Sequence, residues 1–497
     1  MTEPCDFSAS DARRLIGRKS LSPVELLDSC LERIEQINPA VNAIVALDPE
    51  GAKTAARSAE HAMMRGDDLP LLHGLPVGIK DLDETAGLRT TWGSTIYRDH
   101  VPAQDAGAVA RIRAAGGIVL GKTNTPEWGL GANTRNAVYG ATGNPFDPKK
   151  SSAGSSGGSA VALATGMAPL CTGSDMGGSL RNPAAFCGIV GFRPSPGVVP
   201  SEKRLLGWSS LSVLGPMART TKDACLLLSA MASDDPRDPL AYTLHDATAR
   251  GAPHLCDPPS VDLARLRVAV SEDFGLAPVE QVVRRAFRDK VQTCRSFFRE
   301  AAEAHPDCSG GDESFAVLRA GSVLAGHLER YRTRPEECGP NLKANVEEGL
   351  SYTLEDHARA HATQTRIYRS FQDFFRSYDV LLSPAITISP RSWRELYPSE
   401  IDGQRTLNYF HWLALGYYVT LAGHPAVCLP VGLDEEGMPF GLQIVGPRGG
   451  DAFVLGVAAA LEEALAGSAA LRRPAPDLDR LRAAAPISSM EGFLGWG

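Results

Sequence analysis

The sequence lacks long apolar runs, clustered cysteines and a marked excess of either charge. No apolar run reaches the ~18–20 residues that a membrane-spanning helix needs. The ten cysteines form no C-x-x-C pair and no metal-like cluster. Fifty Lys and Arg against fifty-eight Asp and Glu give a net charge of −8. This balance argues against a broad nucleic-acid or membrane-surface footprint.

The first residues also lack a secretory signal, because Met1-Thr-Glu-Pro-Cys5 has neither a basic n-region nor an apolar h-region. We therefore expect a cytoplasmic protein with reduced thiols and with no nucleic-acid or membrane partner. The composition excludes wholesale disorder, since 43% of the residues are hydrophobic and 22% are charged.

Glycine and proline, in contrast, are abundant, at 49 and 35 of the 497 residues. Residues 143–200 are the richest in Gly, Ser and Pro. Apolar helix and strand segments interrupt this stretch, so it is too patterned for a linker.

Local patterns predict an α/β body. A capping box at Ser22-Pro23-Val24-Glu25 starts a helix over 23–37, which Asn38-Pro39 is expected to stop. From about residue 70, short apolar runs alternate with helical stretches. Residues 270–375 are helical and charged, and the alternation returns from residue 378. One sheet completed by distant segments is therefore favoured over the three domains that the length suggests.

Two segments match generic functional motifs, but the residues around each match argue against that function. Residues 116–123 fit G-x-x-x-x-G-K-[ST], but the middle of the segment predicts a buried strand rather than a loop that opens a helix. Residues 154–158 fit G-x-S-x-G, but no apolar strand precedes Ser156. His357 and His361 lie four apart without the glutamate of H-E-x-x-H, so we expect no metal site there.

Three other segments give a stronger indication of a catalytic site. In the first, Lys80 closes the apolar run 74–79, where a buried charge costs several kcal/mol unless it is paired or neutralised. Desolvation lowers the pKa of a lysine and makes it a usable base. The alternative is a lysine that pairs with Asp81 or reaches water.

The second segment, 153–166, places serines and glycines before a short apolar helix, which is also what an ordinary capped helix start looks like. In the third, 172–188, consecutive glycines before Ser179 allow backbone N–H groups to converge on one point, as an oxyanion requires. A simple tight turn is the alternative for this segment.

Together these segments resemble the amidase signature family, hydrolases that use a Ser–Ser–Lys triad. The resemblance covers about 60–235 and resumes near the C-terminus. It rests on Lys80-Asp81, 121–124, 143–145, 154–159, 177–179, 186–188, 215–219, 425–426, 429–432 and 441–447. The spacing from Lys80 to Ser155 and on to Ser179 is also similar to that of other members.

The resemblance implies a role for each matching residue. Ser179 is the nucleophile, Ser155 is the bridging serine in a cis peptide, and Lys80 is the base. The remaining roles are an oxyanion hole from the backbone N–H groups of Met176, Gly177 and Gly178, support from Ser156, Asp175 and Arg181, and substrate contacts from Gly129, Leu130, Gly131 and Ala132. No metal and no organic cofactor is implied.

The resemblance also implies an α/β/α body, with a large mixed twisted sheet covered by helices on both faces. We expect one large domain over 1–497. Its parts would be a signature core at 60–235, a mostly helical and variable substrate-pocket region at 236–400, and a segment at 401–465 that completes the core. The sequence departs from the family's pattern at Ala153, where Gly is frequent, and at Met176, where Thr is frequent.

The expected activity is hydrolysis of small apolar or aryl amides through a seryl acyl-enzyme, with esters and carbamates as further substrates. The alternative is a glutamine amidotransferase subunit that works in a tRNA-dependent complex. A homodimer is a common outcome for this type of enzyme. The aromatic cluster 409–418 either walls an apolar pocket or packs as ordinary core.

Overall fold

An eleven-stranded mixed sheet runs through the protein. The computed structural model describes residues 3–241 and 255–495. The strands are β1 (Ile44–Leu47), β2 (Pro76–Lys80), β3 (Ile118–Thr123), β4 (Arg135–Asn136), β5 (Gly140–Ala141), β6 (Leu170–Asp175), β7 (Val190–Arg193), β8 (Val213–Ala218), β9 (Arg267–Val270), β10 (Glu300–Glu303), β11 (Val380–Pro384), β12 (Glu400–Ile401), β13 (Gln404–Arg405), β14 (Ala426–Leu433) and β15 (Pro439–Val445). The helices are α1 (Ala9–Gly17), α2 (Pro23–Val41), α3 (Pro49–Arg65), α4 (Gly107–Ala114), α5 (Gly157–Ala164), α6 (Arg181–Cys187), α7 (Thr221–Met231), α8 (Gln281–Cys294), α9 (Gly311–Thr333), α10 (Pro340–Ser351), α11 (Leu354–Phe374), α12 (Ala414–Ala422), α13 (Asp451–Ala466) and α14 (Leu478–Arg482).

The strand order is β1-β3-β2-β6-β8-β7-β14-β15-β11-β9-β10. The groups β3-β2-β6 and β11-β9-β10 are parallel, and the strands between β6 and β11 pair antiparallel. The C-terminal hairpin β14–β15 thus lies inside the sheet, between β7 and β11. The region 236–400 contributes β9, β10 and β11 to the sheet as well as helices α8 to α11.

Helices cover both faces, as the α/β expectation requires. The helices α5 and α6 pack on each other, α5 against β6 and β8 and α6 against β14 and β15. The helices α7 and α13 also pack on each other and against β8 and β14. Every residue of β2, β3, β7, β11 and β15 is buried. Strands covered on both sides are typical of α/β sheets and explain these continuous apolar runs.

The first long helix begins as predicted and ends later. Ser22 and Glu25 form the capping box. The helix continues through Pro39 to Val41, so the predicted stop is wrong. Proline removes one backbone hydrogen bond but keeps a helical φ, and the buried residues 40–41 hold the last turn in place. The helix ends at Asn42, which adopts the left-handed conformation and donates its N–H to the Asn38 carbonyl.

The segment that matches a phosphate-binding loop contains the buried strand β3, as the sequence predicted. Its lysine, Lys122, donates from Nζ to the carbonyl of Asp83 and to the hydroxyl of Thr85. All ten cysteines lie in the described residues as free thiols. Within residues 3–241 and 255–495, no helix has the length and apolar character to cross a membrane.

Candidate active site

Lys80 ends strand β2, between β3 and β6, and is completely buried, with 0% of its surface exposed. It does not pair with its neighbour, because the Asp81 carboxylate accepts from the hydroxyl of Thr91 at 2.7 Å. No carboxylate lies within ion-pair distance of Lys80 in the part of the chain that the structure describes. Neither pairing with Asp81 nor reaching water therefore accounts for this lysine.

Three serine hydroxyls surround the amine instead. Lys80 Nζ lies 2.7 Å from Ser155 Oγ, 2.8 Å from Ser156 Oγ and 3.0 Å from Ser174 Oγ. An ammonium donates to all three, whereas a neutral amine donates to two and accepts from the third. Burial lowers the pKa of Lys80 to about 7, although nearby Asp83 raises it in part. The amine is therefore available as a proton acceptor near neutral pH.

Ser174 is the member of this group that the sequence analysis missed. It lies on β6, two residues after Thr172, whose hydroxyl accepts from the backbone N–H of Lys80 at 2.9 Å. Alternate strand residues face the same side. The alternation Thr172–Ser174 beside a parallel strand that ends in lysine is the signal that could have identified it.

Ser155 and Ser156 lie in the loop that leads into α5, and the Gly154–Ser155 peptide is cis. The start of α5 approaches a neighbouring backbone closely. A Cβ at Gly158 would lie 2.2 Å from Asn124 N, so only glycine fits there. The serines of the second segment are thereby brought to the end of β2.

Ser179 lies between β6 and α6 and is 8% exposed. It lines the same cavity as Ser155 and Ser174. No hydrogen bond joins the hydroxyls of Ser155 and Ser179 among the described residues. Catalytic hydrogen bonds are often long in ligand-free structures and tighten when substrate binds.

A buried ion network holds the Ser179 loop. The Asp175 carboxylate accepts from Arg181 at 2.8 and 3.0 Å and from Arg193 at 3.1 Å. It also accepts from the backbone N–H of Gly178 at 3.0 Å and of Leu180 at 3.1 Å. The two guanidinium groups hold the pKa of Asp175 well below its usual range, despite its burial.

This network ties three strands of the sheet to helix α6. Arg193 ends β7, and its Nη1 also donates to the Asp175 carbonyl at 2.7 Å. Arg181 begins α6 and donates to Gln443 on β15 at 2.6 Å. The sequence predicted support from Asp175 and Arg181 but missed Arg193, because no local pattern distinguishes it from a surface arginine.

The backbone before Ser179 supplies free amide donors. Within the described residues, the N–H groups of Met176, Gly177 and Ser179 have no acceptor. The N–H of Gly178, in contrast, already donates to Asp175. Gly178 has φ +104°, and a Cβ there would lie 2.4 Å from Asn182 Oδ1. The loop geometry thus requires glycine at this position.

Comparisons with known proteins agree with this geometry. The family model described as Amidase matches residues 25–455. The chain belongs to the amidase signature family. It is 33% identical over 459 residues to the acylamidase of Rhodococcus erythropolis, covering 92% of this chain and 95% of that one. It is 34% identical to a Glutamyl-tRNA(Gln) amidotransferase subunit of Roseiflexus castenholzii (strain DSM 13941 / HLO8), covering 90% and 93%.

A solved structure of a bacterial aryl acylamidase of the amidase signature family superposes with a TM-score of 0.85 at 25% identity. The match covers 96% of this chain and 99% of that one. The large mixed sheet and its helical covering are therefore those of amidase signature enzymes.

The cavity of this amidase signature protein holds about 590 Å³ of empty space, including its open mouth. Its lining combines apolar and aromatic side chains with polar groups. The apolar and aromatic members include Leu82, Trp128, Leu130, Phe315, Phe410 and Leu413. Of the predicted substrate contacts, Gly129, Leu130 and Gly131 line the cavity, whereas Ala132 does not and is buried.

The aromatic cluster 409–418 has both of the expected roles. Tyr409 and Phe410 line the cavity. Tyr417 is buried behind it and stacks on the cavity residue Phe315 with ring centroids 4.4 Å apart. Phe315 and Arg319 come from α9, in a region without any recognisable motif, and the sequence analysis named neither.

Proposed function

We propose that the protein hydrolyses small apolar or aryl amides through an acyl-enzyme on Ser179. The observation that carries this proposal is the buried Lys80 amine among three serine hydroxyls, at the edge of a cavity that also contains Ser179. Esters and carbamates belong to the same proposal, since they pass through a similar tetrahedral intermediate.

In the proposed mechanism, neutral Lys80 accepts the proton of Ser155, and Ser155 takes the proton of Ser179. The Ser179 oxygen then attacks the amide carbonyl. The free N–H groups of Met176 and Gly177 stabilise the oxyanion. The proton returns along the same path to the leaving amine, and water hydrolyses the acyl-enzyme.

The lining of the cavity supports this substrate class. Apolar and aromatic walls favour an acyl or aryl body over a polar chain. The chain is about equally similar to the acylamidase and to the amidotransferase subunit, so identity alone does not separate the two activities.

The test is hydrolysis by the purified chain alone, without tRNA or a partner, on a panel of aliphatic amides, anilides, esters and carbamates. We expect turnover by the wild type and none by Ser179→Ala. Circular dichroism should show that the two proteins are equally folded. A fluorophosphonate should label Ser179, and labelling of Ser156 instead would contradict the assignment. Turnover that requires tRNA and a partner would favour the amidotransferase reading.

A further inference from the structure

The cavity contains a buried cation that the proposed mechanism does not use. Arg319 lines the cavity and is only 6% exposed. Among the described residues that line this cavity, it is the one charged side chain. None of the described ion pairs includes Arg319. A buried charge without an opposite charge costs several kcal/mol, so this arginine calls for an explanation.

The hydrogen bonds of Arg319 are also incomplete. A guanidinium has five N–H donors. Within residues 3–241 and 255–495, its one hydrogen bond runs from Nη2 to the hydroxyl of Tyr409. Nη1 is buried and has no acceptor. Unmet buried donors carry a desolvation penalty, and a ligand acceptor would remove it.

Aromatic rings hold the guanidinium in place. Its central carbon lies 5.0 Å from the ring centroid of Tyr409 and 4.9 Å from that of Phe410. The Tyr409 hydroxyl also accepts from Asn345, and this second hydrogen bond helps to fix the ring. These contacts account for the position of Arg319, but they leave Nη1 unpaired. The result is a preorganised donor in the lining of the cavity that also contains Ser155 and Ser179.

We propose that Arg319 binds a carboxylate on the substrate, so that the natural substrates are small amides that carry a carboxylate next to an apolar or aryl body. This inference rests on the proposed function and names its substrate class. A carboxylate would supply the missing charge and accept from the guanidinium in the paired geometry that arginine favours. The apolar walls would hold the remainder of the molecule.

The experiment measures binding in the Ser179→Ala protein at pH 8, by calorimetry, so that it does not depend on turnover. The ligands are matched pairs: N-phenylsuccinamate against N-phenylbutanamide, and 4-acetamidobenzoate against 4-acetylacetanilide. We expect at least one carboxylate to bind about ten- to one-hundred-fold more tightly than its neutral partner, because hydrogen bonds to charged groups are strong.

This preference should fall to about threefold or less in Ser179→Ala/Arg319→Met and be partly kept in Ser179→Ala/Arg319→Lys. The control Ser179→Ala/Arg332→Met removes an exposed charge from the far end of α9 and should keep the full preference. A ratio within each pair is insensitive to general damage to the site.

Equal binding of both members of both pairs to Ser179→Ala would overturn the proposal without any second variant. A preference that persists in Arg319→Met would overturn it too. If the wild type hydrolyses neutral anilides but shows no carboxylate preference, the Arg319 proposal fails and the proposed function stands. If the preference is present and depends on Arg319, but no amide is hydrolysed, the site is confirmed and the proposed function fails.

Discussion

Burial of a single amine creates the chemistry at the residue scale. Lys80 has its charge penalised by desolvation and its hydrogen bonds satisfied by hydroxyls rather than by a carboxylate. A lysine paired with an acid would stay protonated at neutral pH, whereas this one exchanges its proton there. The described residues that line the cavity include no histidine, which is consistent with this arrangement.

The pKa of about 7 for Lys80 predicts the pH dependence of hydrolysis. The base is active when neutral, so kcat/KM for a neutral anilide should be level above that pKa and fall roughly tenfold per unit below it. Lys80→Met should reduce kcat/KM by several orders of magnitude. The fall of kcat/KM at low pH is the acid limb of the profile. If the residual activity of Lys80→Met kept this limb unchanged, another group would be the base.

Ser156→Ala provides a second test of this profile. Its hydroxyl accepts from Lys80 Nζ at 2.8 Å, and an acceptor stabilises the charged form. Removing it should therefore move the acid limb to lower pH. The control is Ser229→Ala on helix α7, whose hydroxyl donates to the Cys225 carbonyl, and it should leave the limb in place.

The same pKa shift predicts a pH-dependent stability. Folding lowers the pKa of Lys80 from 10.5 to about 7. Above the unfolded value both states are neutral and burial carries no charge penalty. As the pH falls through this window the penalty grows, and it is complete below the folded value.

Lys80→Met removes this penalty. The free energy of unfolding of the variant, relative to wild type, should therefore rise by roughly 2.5 kcal/mol between pH 9 and pH 6.5, since the slope of about 1.4 kcal/mol per unit flattens near the folded pKa. Urea denaturation at both values measures it. A difference that does not change with pH would mean that Lys80 is not desolvated as the structure indicates.

The residues that the sequence could predict are those in local patterns. Lys80 closes an apolar run, and Ser155 and Ser179 lie in glycine-rich loops, so each stands in a segment that a local pattern singles out, although their roles came from the family resemblance. Arg193 and Arg319 are not. Their importance comes from contacts with Asp175 and Tyr409, which lie 18 and 90 positions away and are brought together only by the fold.

At the scale of secondary-structure elements, side chains from neighbouring strands determine the conformation of the loop before Ser179. Asp175 belongs to β6, Arg193 to β7 and Gln443 to β15. The local residues supply permissive glycines, and the sheet selects one conformation. The predicted end of α2 was wrong for a related reason, because packing of its last turn outweighed the helix-breaking tendency of Pro39.

Arg193→Met should cost about 3–5 kcal/mol of unfolding free energy, because it leaves part of a buried ion network unpaired. The matched control is Arg366→Met. Arg366 pairs with Asp307 at 2.6 Å on the surface, with the side chains 45% and 58% exposed. That change should cost less than about 1 kcal/mol. Equal losses in the two variants would contradict a structural role for the Asp175 network.

Helix α12 packs closely against the same loop. A Cβ at Gly416 would lie 2.7 Å from the carbonyl oxygen of Gly177. Gly416→Ala should therefore displace the oxyanion loop and lower kcat at least about tenfold, since small misplacements are costly in catalysis.

Gly326→Ala on α9 is the control for this substitution, because a Cβ there meets nothing within 4 Å. Alanine in an open helical position should add about 0.5–1 kcal/mol of stability without changing kcat. Unchanged turnover in Gly416→Ala would mean that the loop yields without loss of alignment.

The sheet is the feature that sequence patterns captured best at the scale of the whole molecule. Apolar runs predicted strands on both sides of a helical middle, and the sheet indeed joins them. The edge strand β10 was not predicted, because Glu300-Ala-Ala-Glu303 has no apolar run and is half exposed. It pairs with β9 in parallel, a long-range contact that no local signal encodes.

The single-domain prediction can be tested with the chain's own thiols. Nine of the ten cysteines are buried, and Cys256 is partly exposed. Cys294, Cys308 and Cys338 lie in the region 236–400, whereas the other buried thiols lie elsewhere in the body. Because β9, β10 and β11 extend the central sheet, unfolding of this region should expose the whole core.

Pulsed alkylation at increasing urea, followed by peptide mass spectrometry, measures the protection of each thiol. In native protein we expect only Cys256 to react. The nine buried thiols should then lose protection with one common midpoint, since they belong to one cooperative unit. Earlier labelling of Cys294, Cys308 and Cys338 as a group would identify the region 236–400 as a separate domain. In that case β9, β10 and β11 would unfold separately from the other strands of the sheet.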